Sequence, residues 1–166
     1  MASLSDYLES GVLQHIFRGT DFLKPSGVSI ALTSGVPQDS DTGKNLYTGG
    51  TLQELPSGVG DDLTGYSRIF LGKPDDTTHG TASGNYFWNH TADNIAAGSG
   101  LISNSQQLVF DTALQDWGWV SGIAICDSGQ FGVGNLLMHS ALDNPRYIYQ
   151  GDTVKFDADT LQISFL

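Results

Sequence analysis

From Val28 onward the bulky residues of this chain recur at every second position, in short runs broken by glycine and by Asp, Asn and Pro turns. That texture confines the fold to strands joined by tight connections. The first run is Val28-Ser29-Ile30-Ala31-Leu32. Others lie over 66–71, 85–89, 107–110, 119–125, 136–139, 153–156 and 161–165, for about eight strands in all. Turn residues separate the later runs at 116–118, 127–134, Asp143-Asn144-Pro145 and Gly151-Asp152. No helical period intervenes between them. Parallel βαβ units are thereby disfavoured, and a mainly β fold is expected, an antiparallel β-sandwich or jelly roll.

One helix precedes the strands. Leu8, Val12 and Ile16, with Leu13 and Phe17 beside them, recur at helical spacing and build a single apolar stripe. Ser3 or Ser5 can cap its start, Asp6 and Glu9 complement the positive end of its dipole, and Gly19 stops it near Arg18. The stripe must be covered somewhere, either by the open end of its own sandwich or by another chain. Residues 1–19 are expected to form this helix within the same unit as a β-sandwich over 20–166. Between residues 33 and 65, glycines and prolines crowd the chain and predict a long surface excursion, with short ordered pieces near Leu46-Tyr47 and over 52–55.

The 166 residues suit one domain. Seven Lys and Arg against eighteen Asp and Glu give a formal charge of -11, which argues against nucleic acid and against an anionic membrane as partners. Cys126 is the lone cysteine, so no intrachain disulfide exists. No stretch approaches the roughly 20 apolar residues of a membrane helix, and the start lacks the basic and apolar regions of a signal peptide. Synthesis inside the cell as a soluble protein is the expectation.

Chemical motifs are sparse. Asp39-Ser40-Asp41-Thr42-Gly43 begins like a calcium loop, but Lys44 stands where the loop glycine belongs and Gly50 where the bidentate glutamate belongs. Gly43-Lys44 lacks the rest of a phosphate loop, and no GxSxG, HExxH or CxxC spacing occurs. His15, His79, His90 and His139 are too scattered to give a metal spacing. Cys126, at the end of an apolar run with no cation next to it, suits a buried structural thiol. Asp61-Asp62 and Asp75-Asp76 are neighbours that extended backbone would point apart, unsuited to paired acid and base work. The expectation is no enzyme, no cofactor and no metal. The clusters Tyr86-Phe87-Trp88 and Trp117-Gly118-Trp119 alternate between faces of a strand, so one ring of each fills core while another can meet a sugar or a partner. Candidate partner-binding residues are Leu8, Val12, Ile16, Phe17, Phe87, Trp88 and Trp119.

Taken in order, several segments resemble a family of small tailed-bacteriophage virion proteins, described as head decoration or cement proteins and as tail-fibre or tail-associated proteins. These are Ser3-Leu4-Ser5-Asp6-Tyr7-Leu8-Glu9 with His15-Ile16-Phe17-Arg18-Gly19-Thr20, Gly65-Tyr66-Ser67-Arg68, Phe110-Asp111-Thr112-Ala113, Trp117-Gly118, Ile123-Ala124-Ile125-Cys126-Asp127, Gly134-Asn135-Leu136-Leu137 and Gly151-Asp152-Thr153-Val154-Lys155-Phe156. The resemblance runs nearly end to end and departs in the insertions over 42–62 and 74–85. It implies a non-enzymatic structural role. The preferred form is a capsid decoration protein on the outer capsid surface of the virion, where trimers clamp the major capsid protein. The alternative is a tail-fibre or tail-tip component that meets tail proteins or a host surface glycan.

Overall fold

The computed structural model describes residues 3–48, 54–55, 64–72, 88–89 and 101–164. The helix, α1 (Asp6–Arg18), starts on Ser5, whose extended backbone (φ -82°, ψ 156°) lets its hydroxyl accept from the Leu8 N–H at 3.2 Å. It ends on Gly19 at φ 66°, a left-handed conformation that glycine adopts without a Cβ penalty, with the Gly19 N–H donating to the Gln14 carbonyl. Ser3 is not a cap. It forms β1 (Ser3–Leu4), which pairs antiparallel with His139 and Met138. Ser5 itself is buried, donates its hydroxyl to the Leu136 carbonyl and its N–H to the Leu137 carbonyl, and so ties the helix start to the sheet. Ser5→Ala is expected to lower unfolding free energy by about 1–2 kcal/mol, read as a lower urea midpoint at unchanged m-value. An unmoved midpoint would show that neither bond contributes.

The main sheet is antiparallel throughout, with strand order β1, β8 (Leu136–Ile148), β7 (Gly118–Cys126), β2 (Ser29–Thr33), β3 (Ile69–Phe70). Its register sets Ile30 against Ile125 and Leu32 against Ile123 on one face, and Ala31 against Ala124 on the other. The large face packs on a second layer. That layer is a three-stranded sheet of β10 (Gln162–Ser164), β5 (Leu101–Asn104) and β4 (Trp88–Asn89), beside a ribbon of β6 (Leu108–Val109) and β9 (Lys155–Phe156). Ile30, Leu32, Tyr66, Phe110, Trp117 and Ile148 belong to the largest buried cluster, while Ile125, Leu137 and Ile163 close the layers farther along. The fold is therefore the expected antiparallel β-sandwich.

The sheet's other face carries small side chains, and this changes the reading of the excursion between residues 33 and 65. Ala31, Ala124 and Cys126 leave a shallow surface that Leu46, on the single helical turn α2 (Asn45–Thr48), fills to complete burial. Glu54 bridges to Thr33, and Leu55 is buried too. Part of the expected surface loop is thus core. Sequence pattern also overextends some strands and omits others. Of the run over 66–71 only Ile69 and Phe70 form a strand, with the Leu71 N–H donating to the Val28 carbonyl beyond them, and Leu101–Asn104 is a strand that polar neighbours conceal. The run over 85–89 is described only at 88–89, and residue 165 lies outside the described residues.

Asp143-Asn144-Pro145 does not reverse the chain as expected. It lies within β8, where Val120 pairs with Arg146 and Gly122 with Ala141, so the four residues from Leu142 to Pro145 stand opposite Ser121 alone. Proline lacks the ladder N–H and is tolerated at such a bulge. The bulge also resets the alternation: Val120 and Ile123, three apart, both reach the largest core cluster.

Candidate functional site

Among the described residues one concentration of ionisable groups lies in the interior, and it is closed. Arg68 and Glu54 side chains are both fully buried, with Nη2 to Oε2 at 2.7 Å and Nε to Oε1 at 2.8 Å. The remaining guanidinium N–H groups donate to the carbonyls of Ser128 (2.9 Å), Val133 (2.8 Å) and Gly43 (3.3 Å). All five donors of the fork are used. The Tyr66 hydroxyl donates to Glu54 Oε1 at 2.9 Å and accepts from the Leu32 N–H at 3.0 Å. Burial pushes the Tyr66 hydroxyl well above its ordinary value, and the neighbouring Glu54 charge pushes the same way. Burial alone would lower Arg68, but its hydrogen bond to Glu54, together with the neighbouring acidic groups, raises it on balance. Gly65, at φ 71°, starts this stretch where a Cβ would stand 2.6 Å from the Thr112 carbonyl oxygen. Such a saturated, water-excluded cluster joins the Gly43 turn, the 128–133 loop and Glu54 to the sheet; it offers no free group to a substrate.

The other sequence candidates for chemistry settle into turns and core. Asp41 accepts from the Gln38 N–H, Asp39 contacts His139 Nε2 at 2.9 Å, and His15 accepts from the Phe22 N–H at 3.3 Å. Cys126 is fully buried, and burial pushes its thiol up to about 12. No group of three His, Cys, Asp or Glu converges among the described residues. His79, His90, Asp61, Asp62, Asp75 and Asp76 lie outside them.

Two exposed surfaces stand out among the described residues. The first is the helix. Leu8 is half-buried against the Ile125, Leu137 and Ile163 cluster, and no residue of α1 is fully buried. Phe22 folds back over Gly11, where a Cβ would come 2.3 Å from its ring, and meets the edge of Tyr7 at 5.9 Å. That contact takes one side of the helix. The arc of Val12, Leu13, Ile16 and Phe17 is exposed, Phe17 to 77%.

The second is aromatic. Trp117 fills the core and donates its indole N–H to the Thr64 carbonyl at 2.8 Å, while Trp88 is half-buried against both core clusters and Phe87 lies outside the described residues. Trp119 instead faces outward, 58% exposed. It pairs across the strands with Tyr147, edge to face at 6.0 Å, and Tyr147 in turn packs against Tyr149 at 4.6 Å. Neither tyrosine stands out in the sequence, because the β8 bulge decides which residue reaches Trp119. Without that bulge the pairing of Gly122 with Ala141, continued, would place Asn144 there.

A protein-family model described as Podophage GP4 fiber I protein gp80 matches residues 3–55 and 63–164, taking in α1, the main sheet and both members of the Arg68–Glu54 pair. No curated protein matches the chain.

Proposed function

The chain belongs to the Podophage GP4 fiber I protein gp80 family, and from that membership we propose that it is a structural subunit of the virion tail, associated with the fibre. The near end-to-end family match carries this reading. A fibre description favours the tail over the outer capsid surface, and with it neighbouring tail proteins over the major capsid protein. The sandwich supports the role physically. It holds its surfaces on a closed hydrogen-bonded interior and needs no disulfide to do so. The exposed arc of Val12, Ile16 and Phe17, flanked by Leu8, is the face that attaches the subunit to an adjoining tail protein, because an apolar helix stripe left in water gains most from such a contact.

Imaging virions with and without the gene tests the location. Density missing only at the tail is the expected result, whereas density missing over the shell would return the protein to a decoration role. The attachment face has its own test. Ile16→Glu with Phe17→Glu is expected to leave the thermal midpoint of the purified subunit unchanged, since both side chains are exposed, and to reduce its recovery in purified particles by roughly tenfold or more. Normal incorporation would remove the helix from the interface.

A further inference from the structure

The three outward rings form a surface with a definite ligand chemistry. Trp119 and Tyr149 are 58% and 59% exposed and Tyr147 stands half-buried between them. No described residue hydrogen-bonds the Trp119 indole N–H or either phenol hydroxyl, so three polar groups at the ring edges remain available to a ligand. The backbone beneath is held in place. Tyr149 and Gln150 donate their N–H groups to Asp152 Oδ2 (3.0 Å) and Asp116 Oδ1 (2.8 Å). Gly151 donates to the Ala113 carbonyl at 2.8 Å, and Trp117 donates to the Ile148 carbonyl at 3.0 Å. The rings thus sit on a turn stitched to the loop before β7, a surface already ordered before any ligand arrives, and such preorganisation lowers the entropy lost on binding.

Size decides between a protein and a small ligand. Whole aromatic side chains bury about 150–250 Å² each, so these partly exposed rings offer roughly 300 Å², well short of the about 800 Å² per partner of a stable protein interface. A patch of a few rings rimmed by hydroxyls, amide and carboxylates matches the alternation of a pyranose, whose C–H face stacks on a ring while its hydroxyls point to the edges. Charge decides between sugars. Asp116 and Asp152 flank the rings in a chain whose formal charge is -11, which opposes sialic and uronic acids.

We propose that Trp119, Tyr147 and Tyr149 form a binding platform for neutral saccharides. The platform stands on ring geometry and does not depend on the fibre assignment, so failure to bind sugar leaves the imaging experiment above untouched.

The test is a glycan array carrying neutral and anionic bacterial surface oligosaccharides, probed with the full chain. Binding confined to neutral glycans is expected, lowered roughly tenfold or more by Trp119→Ala or Tyr149→Ala and largely retained by Trp119→Phe. Circular dichroism of each variant confirms folding, which exposed positions should preserve. Absence of binding to the array, preference for anionic glycans, or binding undiminished in both alanine variants would overturn the proposal. So would a Trp119→Ala variant whose only change is in the sedimentation coefficient, since that would make the rings a protein contact.

Discussion

Replacing Arg68 by alanine is expected to lower unfolding free energy by about 3–5 kcal/mol, a large share of the roughly 5–15 kcal/mol that holds an ordinary domain together. The cause is the group left behind. Glu54 would keep its carboxylate in a fully buried site with the Tyr66 hydroxyl as its remaining side-chain donor, and the carbonyls of Ser128 and Val133 would lose the N–H groups that reach them. Arg68→Lys should recover only part of the loss, because three rotatable donors on a flexible stem cannot reproduce a planar fork that makes five bonds to four residues. Arg68→Met combined with Glu54→Leu should cost much less than either disruption alone, since it removes both charges together. Urea denaturation of the four proteins checks the series. A loss below about 1 kcal/mol in Arg68→Ala would show that this pair does not hold the loops to the sheet.

Alkaline pH is expected to unfold the protein through two buried acids. Burial, aided by the charges of Glu54 and Asp127 and partly offset by Arg68, raises Cys126 from its ordinary 9.0 to about 12. Tyr66 is raised from 10.0 by burial and then by Glu54. Both folded values exceed the unfolded ones. The stability held in keeping these groups neutral is therefore fully present below pH 9 and is lost as pH climbs, for Cys126 between 9.0 and about 12. At about 1.4 kcal/mol per pH unit for each group, Cys126 alone accounts for a loss on the order of 4 kcal/mol across that span. The urea midpoint should show no contribution from either group between pH 7 and 8.5 and should fall from pH 9 upward. Cys126→Ala, although less stable at neutral pH, should have a flatter profile between pH 9 and 10, the interval in which the cysteine titrates before the tyrosine. Equal slopes in the two proteins over that interval would rule the thiol out.

Features governed by neighbours in sequence were legible there. The helix limits follow from Ser5, the first-turn acids and Gly19, and the central strands follow from alternation in 28–32 and 119–125. The buried state of Cys126 follows from its place at the end of an apolar run. Features set by distant partners were not. Ser3–Leu4 is too short to show a period, yet the β8 edge gives it a place. Glu54 looks like a solvent residue in a glycine-rich excursion, and only Arg68, fourteen residues on, explains its burial. The Gly65-Tyr66-Ser67-Arg68 run resembles a family motif, and its physical content lies in contacts that sequence does not display. That content is a glycine with no room for a Cβ, a phenol and a guanidinium that meet on one carboxylate. Of the candidate contact residues, Val12, Ile16, Phe17 and Trp119 lie exposed, whereas Leu8 and Trp88 are half-buried against core. Tyr147 and Tyr149 were missed because strand register, which alternation alone does not fix across a bulge, brings them to Trp119.

The same bulge bears on how this lineage can change. Its near flank is set by the pairing of Ala141 with Gly122, and its far flank by the pairing of Arg146 with Val120 and by the turn bonded to Asp116. Asp143, Asn144 and Pro145 between those clamps are all exposed. Codons gained or lost there alter the outline of the subunit beside the aromatic rings without moving the register on either side. Genetic drift in that short stretch can therefore vary what the surface meets while the sheet beneath it is inherited intact.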